Sequence, residues 1–272
     1  MTAAIDRFEE YVLSGQYQTL KQLEQRQKET REFIRTQLQE EDGRRFEFKD
    51  VGYVGRFVRK NKTETNHEAL LEELSDYVSV SSMISMNLLN FKPSDDVKEY
   101  VEPFALPVDT YVKPTLNSVG KALVVVHKGY YEHFPKILGY RGEISAYANR
   151  DGKLKSAEKE YEQLMKMLNS KLTKKTATKY GTLSVINKKP QYELQQIVHE
   201  FGETFLLEHC EGKLTKIHEL MEMGILERTF LEPFQQVVDV RVDFILQSLE
   251  SEQKAWDFMQ ERKKALQQLL AS

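Results

Sequence analysis

The sequence holds a single cysteine, Cys210, so no intramolecular disulfide can form. With no basic-then-apolar leader at its start, the chain is expected in the reducing cytoplasm. Long apolar runs are also missing. The longest, Ala122 to Val126, has five residues, against the ~20 needed to span a bilayer as a helix, which argues against an integral membrane protein. Lys and Arg total 39 against 42 Asp and Glu, a net charge of −3. No global field therefore draws the chain to nucleic acid or anionic lipid, and an electrostatic partner has to be recognised by a local patch.

The chain has 272 residues, 40% hydrophobic and 30% charged, with a mean hydropathy of −0.56. That is a globular composition with long solvated helical faces, and the length suits two units. The strongest pattern is an internal repeat. Val101-Glu102-Pro103-Phe104, followed by Val108-Asp109, recurs at an offset of 130 as Leu231-Glu232-Pro233-Phe234, followed by Val238-Asp239. Gly52 to Lys60 matches Gly181 to Lys189 at an offset of 129, and Ile34 and Leu38 match Leu164 and Leu168 at 130. These blocks divide the chain into a first repeat module (1–118), an aromatic connector (119–142), a second module (143–246) and a C-terminal helix (247–272).

Each module reads as a long helix, a β-hairpin, one or two helices and a closing strand, an α+β fold. Apolar residues at helical spacing predict one helix over Ile5 to Glu41, with a polar middle from Glu24 to Glu32 that cannot bury itself, and another over Glu143 to Leu172. Glycine-punctuated β-branched stretches, Phe46 to Arg59 and Thr178 to Lys188, suit hairpins. Asn66 can cap the helix after the first hairpin, and Pro190 opens its counterpart. Val238, Val240, Val242 and Phe244 alternate with Asp239, Arg241 and Asp243, which predicts a closing strand with one wet face. Tyr130, Tyr131, His133, Phe134, Pro135 and Tyr140 make the connector too aromatic for a flexible linker. The tail carries Leu249, Trp256, Met259, Leu266 and Leu270. A helix of some 35 residues would be about 50 Å long at 1.5 Å per residue and would overhang its module. Homo-oligomers paired through Ile5 to Leu38, or through the tail around Trp256, are therefore expected.

Catalytic patterns are incomplete. There is no GxxxxGK loop, GxSxG elbow or CxxC pair. His199-Glu200-Phe201-Gly202-Glu203, followed by His209, approaches a zinc-protease helix but lacks its second histidine, and a metal-dependent hydrolase using His199, Glu200, Glu203 and His209 is a further alternative. Neither metal nor cofactor is expected. Cys210 beside His209 points in a different direction on a helix and reads as a small structural residue.

Charge segregation is more informative. From Gln163 to Tyr192 there is no Asp or Glu, while Lys166, Lys171, Lys174, Lys175, Lys179, Lys188 and Lys189 fall inside. Arg56, Arg59, Lys60 and Lys62 follow the first hairpin in matching positions. Apart from Lys166, these ten cations suit phosphates or an acidic protein partner, with Tyr180 as a candidate stacking residue.

The run Gly52 to Lys62, the Asn66-started helix and the strand from Val108 to Lys113 resemble the Mu Gam-like host-nuclease inhibitors of bacteriophages and related small siphovirus proteins. The resemblance implies a non-catalytic phage-type protein that binds DNA or a host nuclease or defence complex. A homo-oligomeric scaffold without nucleic-acid contact is the alternative.

Overall fold

A computed structural model describes residues 2–133 and 139–271. The first half of the chain runs α1 (Thr2–Leu13), α2 (Gln16–Leu38), β1 (Arg45–Phe48), β2 (Tyr53–Thr65), α3 (His67–Tyr77), α4 (Val80–Ser85), β3 (Leu89–Phe91), α5 (Asp95–Val101), a 3-10 turn at Glu102–Phe104, β4 (Thr110–Leu116) and α6 (Ser118–Leu123). The second half runs α7 (Tyr130–His133), α8 (Gly139–Lys171), β5 (Thr176–Thr178), β6 (Gly181–Asn187), α9 (Leu194–Phe201), α10 (Glu203–Glu208), β7 (Cys210–Gly212), α11 (Leu214–Glu222), a 3-10 turn at Glu232–Phe234, β8 (Gln235–Ser248) and α12 (Leu249–Ala271). The fold is α+β. The series from α2 to α6 recurs in type and order from α8 to α12, with both Glu-Pro-Phe segments in 3-10 turns.

Compact units do not follow the order of the chain. One is Met1–Val58, Asp109–Lys188 and Phe244–Ser251, and the other Arg59–Val108, Lys189–Asp243 and Glu252–Ser272. The consecutive modules 1–118 and 143–246 are therefore not the units that bury cores, since each unit draws on both halves of the sequence. Strand pairing explains why. The β1–β2 hairpin accepts β8 as its third strand, and the β5–β6 hairpin accepts β4, so each half receives the other's closing strand.

In the first unit, two apolar clusters hold the helices to the hairpins. Phe8, Val12, Leu164, Leu168, Tyr180 and Leu183 form one, and Ile34, Leu38, Phe48, Tyr53, Ile144 and Leu246 the other. The expected helix from Ile5 to Glu41 is broken in two. Gly15 adopts φ +79°, a left-handed conformation that L side chains resist, and α2 starts anew after it. The polar middle of α2 is not left in water either. Gln27 and Thr30 are buried against α8: the Gln27 amide donates to the Tyr147 carbonyl (3.2 Å), and Arg150 donates to Thr30 Oγ1 (2.6 Å). The Tyr131 hydroxyl lies 2.9 Å from Thr30 Oγ1 and 2.6 Å from Glu143 Oε2, and its ring stacks on Phe33. The connector thus packs on α2 and α8, although its Phe134 and Pro135 lie outside the described residues. Since α2 lies along α8 and its apolar residues are spent in its own unit, the overhang that suggested pairing through Ile5 to Leu38 does not exist.

The second unit has one core, including Leu70, Leu71, Leu74, Met83, Leu206 and Ile217. At its centre β3 and β7, which hold the same place in the two series, pair antiparallel with Asn90 opposite Glu211. Asn66 caps α3 by accepting the Ala69 amide. Its counterpart α9 begins at Leu194, after Glu193, so Pro190 precedes the helix without opening it. Phe104 and Phe234 both pack against this core.

Candidate functional site

The acid-free segment is positioned by the end of α8 and the β5–β6 hairpin. Leu172, Tyr180 and Leu183 are buried beneath it and hold the hairpin to the first unit's core. Lys171 ends α8, where a cation suits the negative end of the helix dipole. Lys174 and Lys175 follow in the loop, and Lys179 occupies the turn before β6. The Lys179 amide donates to Glu9 Oε1 (2.6 Å) and its carbonyl accepts from Asn117 (3.1 Å), which pins the turn while the side chain stays exposed. Lys171, Lys174, Lys175 and Lys179 are all exposed, and among the described residues no carboxylate pairs with them.

The other expected cations lie elsewhere. Lys188 follows the far end of β6, which at ~3.3 Å per residue is about 23 Å from the turn, and its Nζ sits 3.3 Å from Asp109. Lys189 is exposed but belongs to the second unit. Arg56 is half-buried on β2 within the first unit and is engaged there. Arg59, Lys60 and Lys62 stand on the exposed part of β2 in the second unit, where Lys60 lies 2.8 Å from Asp243. Tyr180 cannot stack on a base, because its ring is part of the core. Four of the ten expected cations thus lie together around the end of α8 and the β5–β6 turn, Lys188 lies at the far end of β6, Arg56 is half-buried on β2, and the other four belong to the second unit.

The histidine constellation is taken apart by the backbone. Gly202, at φ +88°, ends α9 and starts α10, so Glu200 and Glu203 share no helical face, and His209 lies beyond α10 with its ring edge-on to Phe205. Among the described residues no three His, Cys, Asp or Glu side chains come together as a metal cluster. Burial pushes the Cys210 thiol up to about 12, with Lys213 pulling weakly the other way, so almost none is thiolate at neutral pH.

Two surfaces were not foreseen. Between α11 and α12 lies a cleft of about 630 Å³ lined by Met221, Trp256 and Met259, with Arg262 reaching Glu219 at 3.1 Å. The side chains of Leu266 and Leu270 lie outside the described residues. The second surface is the valine-rich start of β8. A closing strand with one wet face should hide Val238, Val240 and Val242, yet they are 42%, 39% and 48% exposed, as is Val237 on the opposite face at 49%.

The architecture defines an α+β protein with small sheets and an exposed lysine surface. No helix among the described residues is long and apolar enough to cross a membrane. No family model, no curated protein and no solved structure matches the chain.

Proposed function

We propose that this chain is a non-catalytic binding protein whose first unit takes up polyanions, DNA foremost, on the surface of Lys171, Lys174, Lys175 and Lys179. The observation that carries this reading is the unpaired exposure of four lysines on a pinned turn within a 30-residue stretch free of acidic residues. Flexible ammonium groups without planar, bidentate partners neutralise phosphates without reading bases, so binding is sequence-independent and salt-sensitive. The phage-type role implied by the Gam-like pattern, at DNA or at a host nuclease or defence complex, belongs to this proposal.

Titration of a labelled duplex and a labelled single strand tests it. Affinity should fall steeply between ~50 and ~200 mM salt, and Lys174→Glu with Lys175→Glu should flatten the slope of log K against log salt by about 0.9 per lost duplex phosphate contact. Reversal of Lys188 should do less, since Asp109 already holds it. Absence of binding to either nucleic acid at the lowest salt would end the DNA reading.

A protein partner is favoured by a different observation, the exposed Trp256, Phe258 and Met259 beside the α11–α12 cleft. Stoichiometric capture of one host protein that survives nuclease treatment and is lost with Trp256→Ala would support it.

A further inference from the structure

β8 lies at the edge of its sheet, with β2 as its neighbour. An edge strand presents a row of amide and carbonyl groups without ladder partners, a template for another strand. From Gln235 to Ser248 it contains no proline to interrupt such pairing. Its exposed stretch reads Val237-Val238-Asp239-Val240-Arg241-Val242, with side chains alternating between faces.

We propose that β8 pairs antiparallel with β8 of a second copy of this chain, with Val240 on the two-fold axis. In such a pairing, opposite residues share a face. Val240 then meets Val240 of the second copy, and Val238 meets Val242 on both sides, so one face becomes a continuous strip of six valines. On the other face Asp239 meets Arg241, twice. The stretch is self-complementary in charge as well as in shape, as a two-fold interface requires.

Of the other registers, centring on Val242 also matches charge, with Arg241 opposite Asp243, but it sets Val240 and Val238 opposite Phe244 and Leu246, which are packed in the first unit's core. Centring on Asp239 or on Arg241 sets like charges opposite one another, and so does in-register parallel pairing. Centring on Val238 leaves Arg241 opposite Gln235. Both members of the new pair have contacts within their own strand, Arg241 Nε at 3.4 Å from Asp243 Oδ1 and Asp239 Oδ1 accepting the Val240 amide at 2.8 Å; Asp243 also has Lys60 at 2.8 Å, so the exposed Arg241 can turn to Asp239 of the second copy without leaving Asp243 unpaired. Val238, Val240 and Val242 each gain a valine neighbour across the new seam, while Val237, on the other face, lies opposite Asp243. The inference is independent of DNA binding, because the lysine surface is on other residues.

Light scattering at micromolar concentration should give about twice the 31.8 kDa chain mass. Val240→Lys, which places two ammonium groups on the axis, should give the single-chain mass with an unchanged circular dichroism spectrum. Arg241→Asp and Asp239→Arg should each weaken dimerisation by about tenfold or more, and the double variant Asp239→Arg with Arg241→Asp should restore it. That rescue separates the proposed register from misfolding and from pairing through the tail. A wild-type chain that stays monomeric at micromolar concentration, a dimer indifferent to Val240→Lys, or a double variant no better than the singles would each overturn the proposal.

Discussion

β4 and β8 hold the same place in the two series of elements, and both lie at sheet edges, yet one edge is closed and the other open. On β4 the Val112 amide donates to Asn169 Oδ1 at 2.6 Å, outside its sheet. Two residues on, at the position whose amide would point the same way, stands Pro114, which has no N–H to offer. Val112 itself is buried. β8 has no proline over its first eight residues, its one amide with a side-chain acceptor is that of Val240, which donates to the adjacent Asp239 Oδ1 at 2.8 Å, and its valines stand in water. Equivalent position in a repeated series does not confer equivalent chemistry. One proline and one asparagine are enough to turn a docking edge into a finished one.

The largest expected effect separates the two strands by what lies under them. Leu183, on β6 opposite Pro114, is fully buried, and Leu183→Ala should cost about 2–5 kcal/mol of stability in urea unfolding. In the Arg241→Asp background, at a concentration where light scattering gives the single-chain mass, Val240→Ala should stay within about 0.5 kcal/mol. Equal losses at the two sites would break the comparison.

Next in size is Asn169→Leu, which strips the Val112 amide of its acceptor and should cost about 1–3 kcal/mol. Pro114→Val should change stability by less than about 1 kcal/mol. Combined with Asn169→Leu it reopens the β4 edge, and light scattering should then detect association even in the Val240→Lys background.

The smallest effect is in acid. Burial alone would raise the Glu29 carboxyl, but hydrogen bonds from Gln25 and from the Gly129 and Tyr130 amides outweigh it and hold the group below its usual value. A depressed carboxylate stabilises fully above its unfolded value of ~4.3 and loses that contribution as pH falls through the folded value. Glu29→Gln should therefore flatten the loss of thermal stability below about pH 4.3 and leave the dimer mass at neutral pH unchanged. A change in the mass would tie α2 to the β8 edge and blur the distinction.

Much of the local structure was legible in the sequence. The hairpin glycines, the Asn66 cap and the amphipathic spacing of α2, α8 and α12 act through neighbours a few residues away, which a sequence displays directly. The break at Gly15 was hidden because glycine is tolerated within a helical pattern and declares itself only through its φ. The ten candidate cations were chosen by proximity along the chain. A strand carries residues ~3.3 Å apart in a line, so proximity in sequence became separation in space for Lys179 and Lys188.

By itself, the sequence determined the element types, the recurrence of the Glu-Pro-Phe turns and the concentration of lysine between Gln163 and Tyr192, because propensity, periodicity and charge are properties of short segments. The tertiary structure decided which half's strand completes which hairpin, which polar residues of α2 are buried, and that the valines of β8 remain uncovered. Those outcomes depend on pairing and burial between residues more than a hundred positions apart, such as Gln27 beside Tyr147 in the first unit and Asn90 beside Glu211 in the second. Alternation in a strand shows that one face is apolar, but whether that face meets a core or water is set by what folds against it.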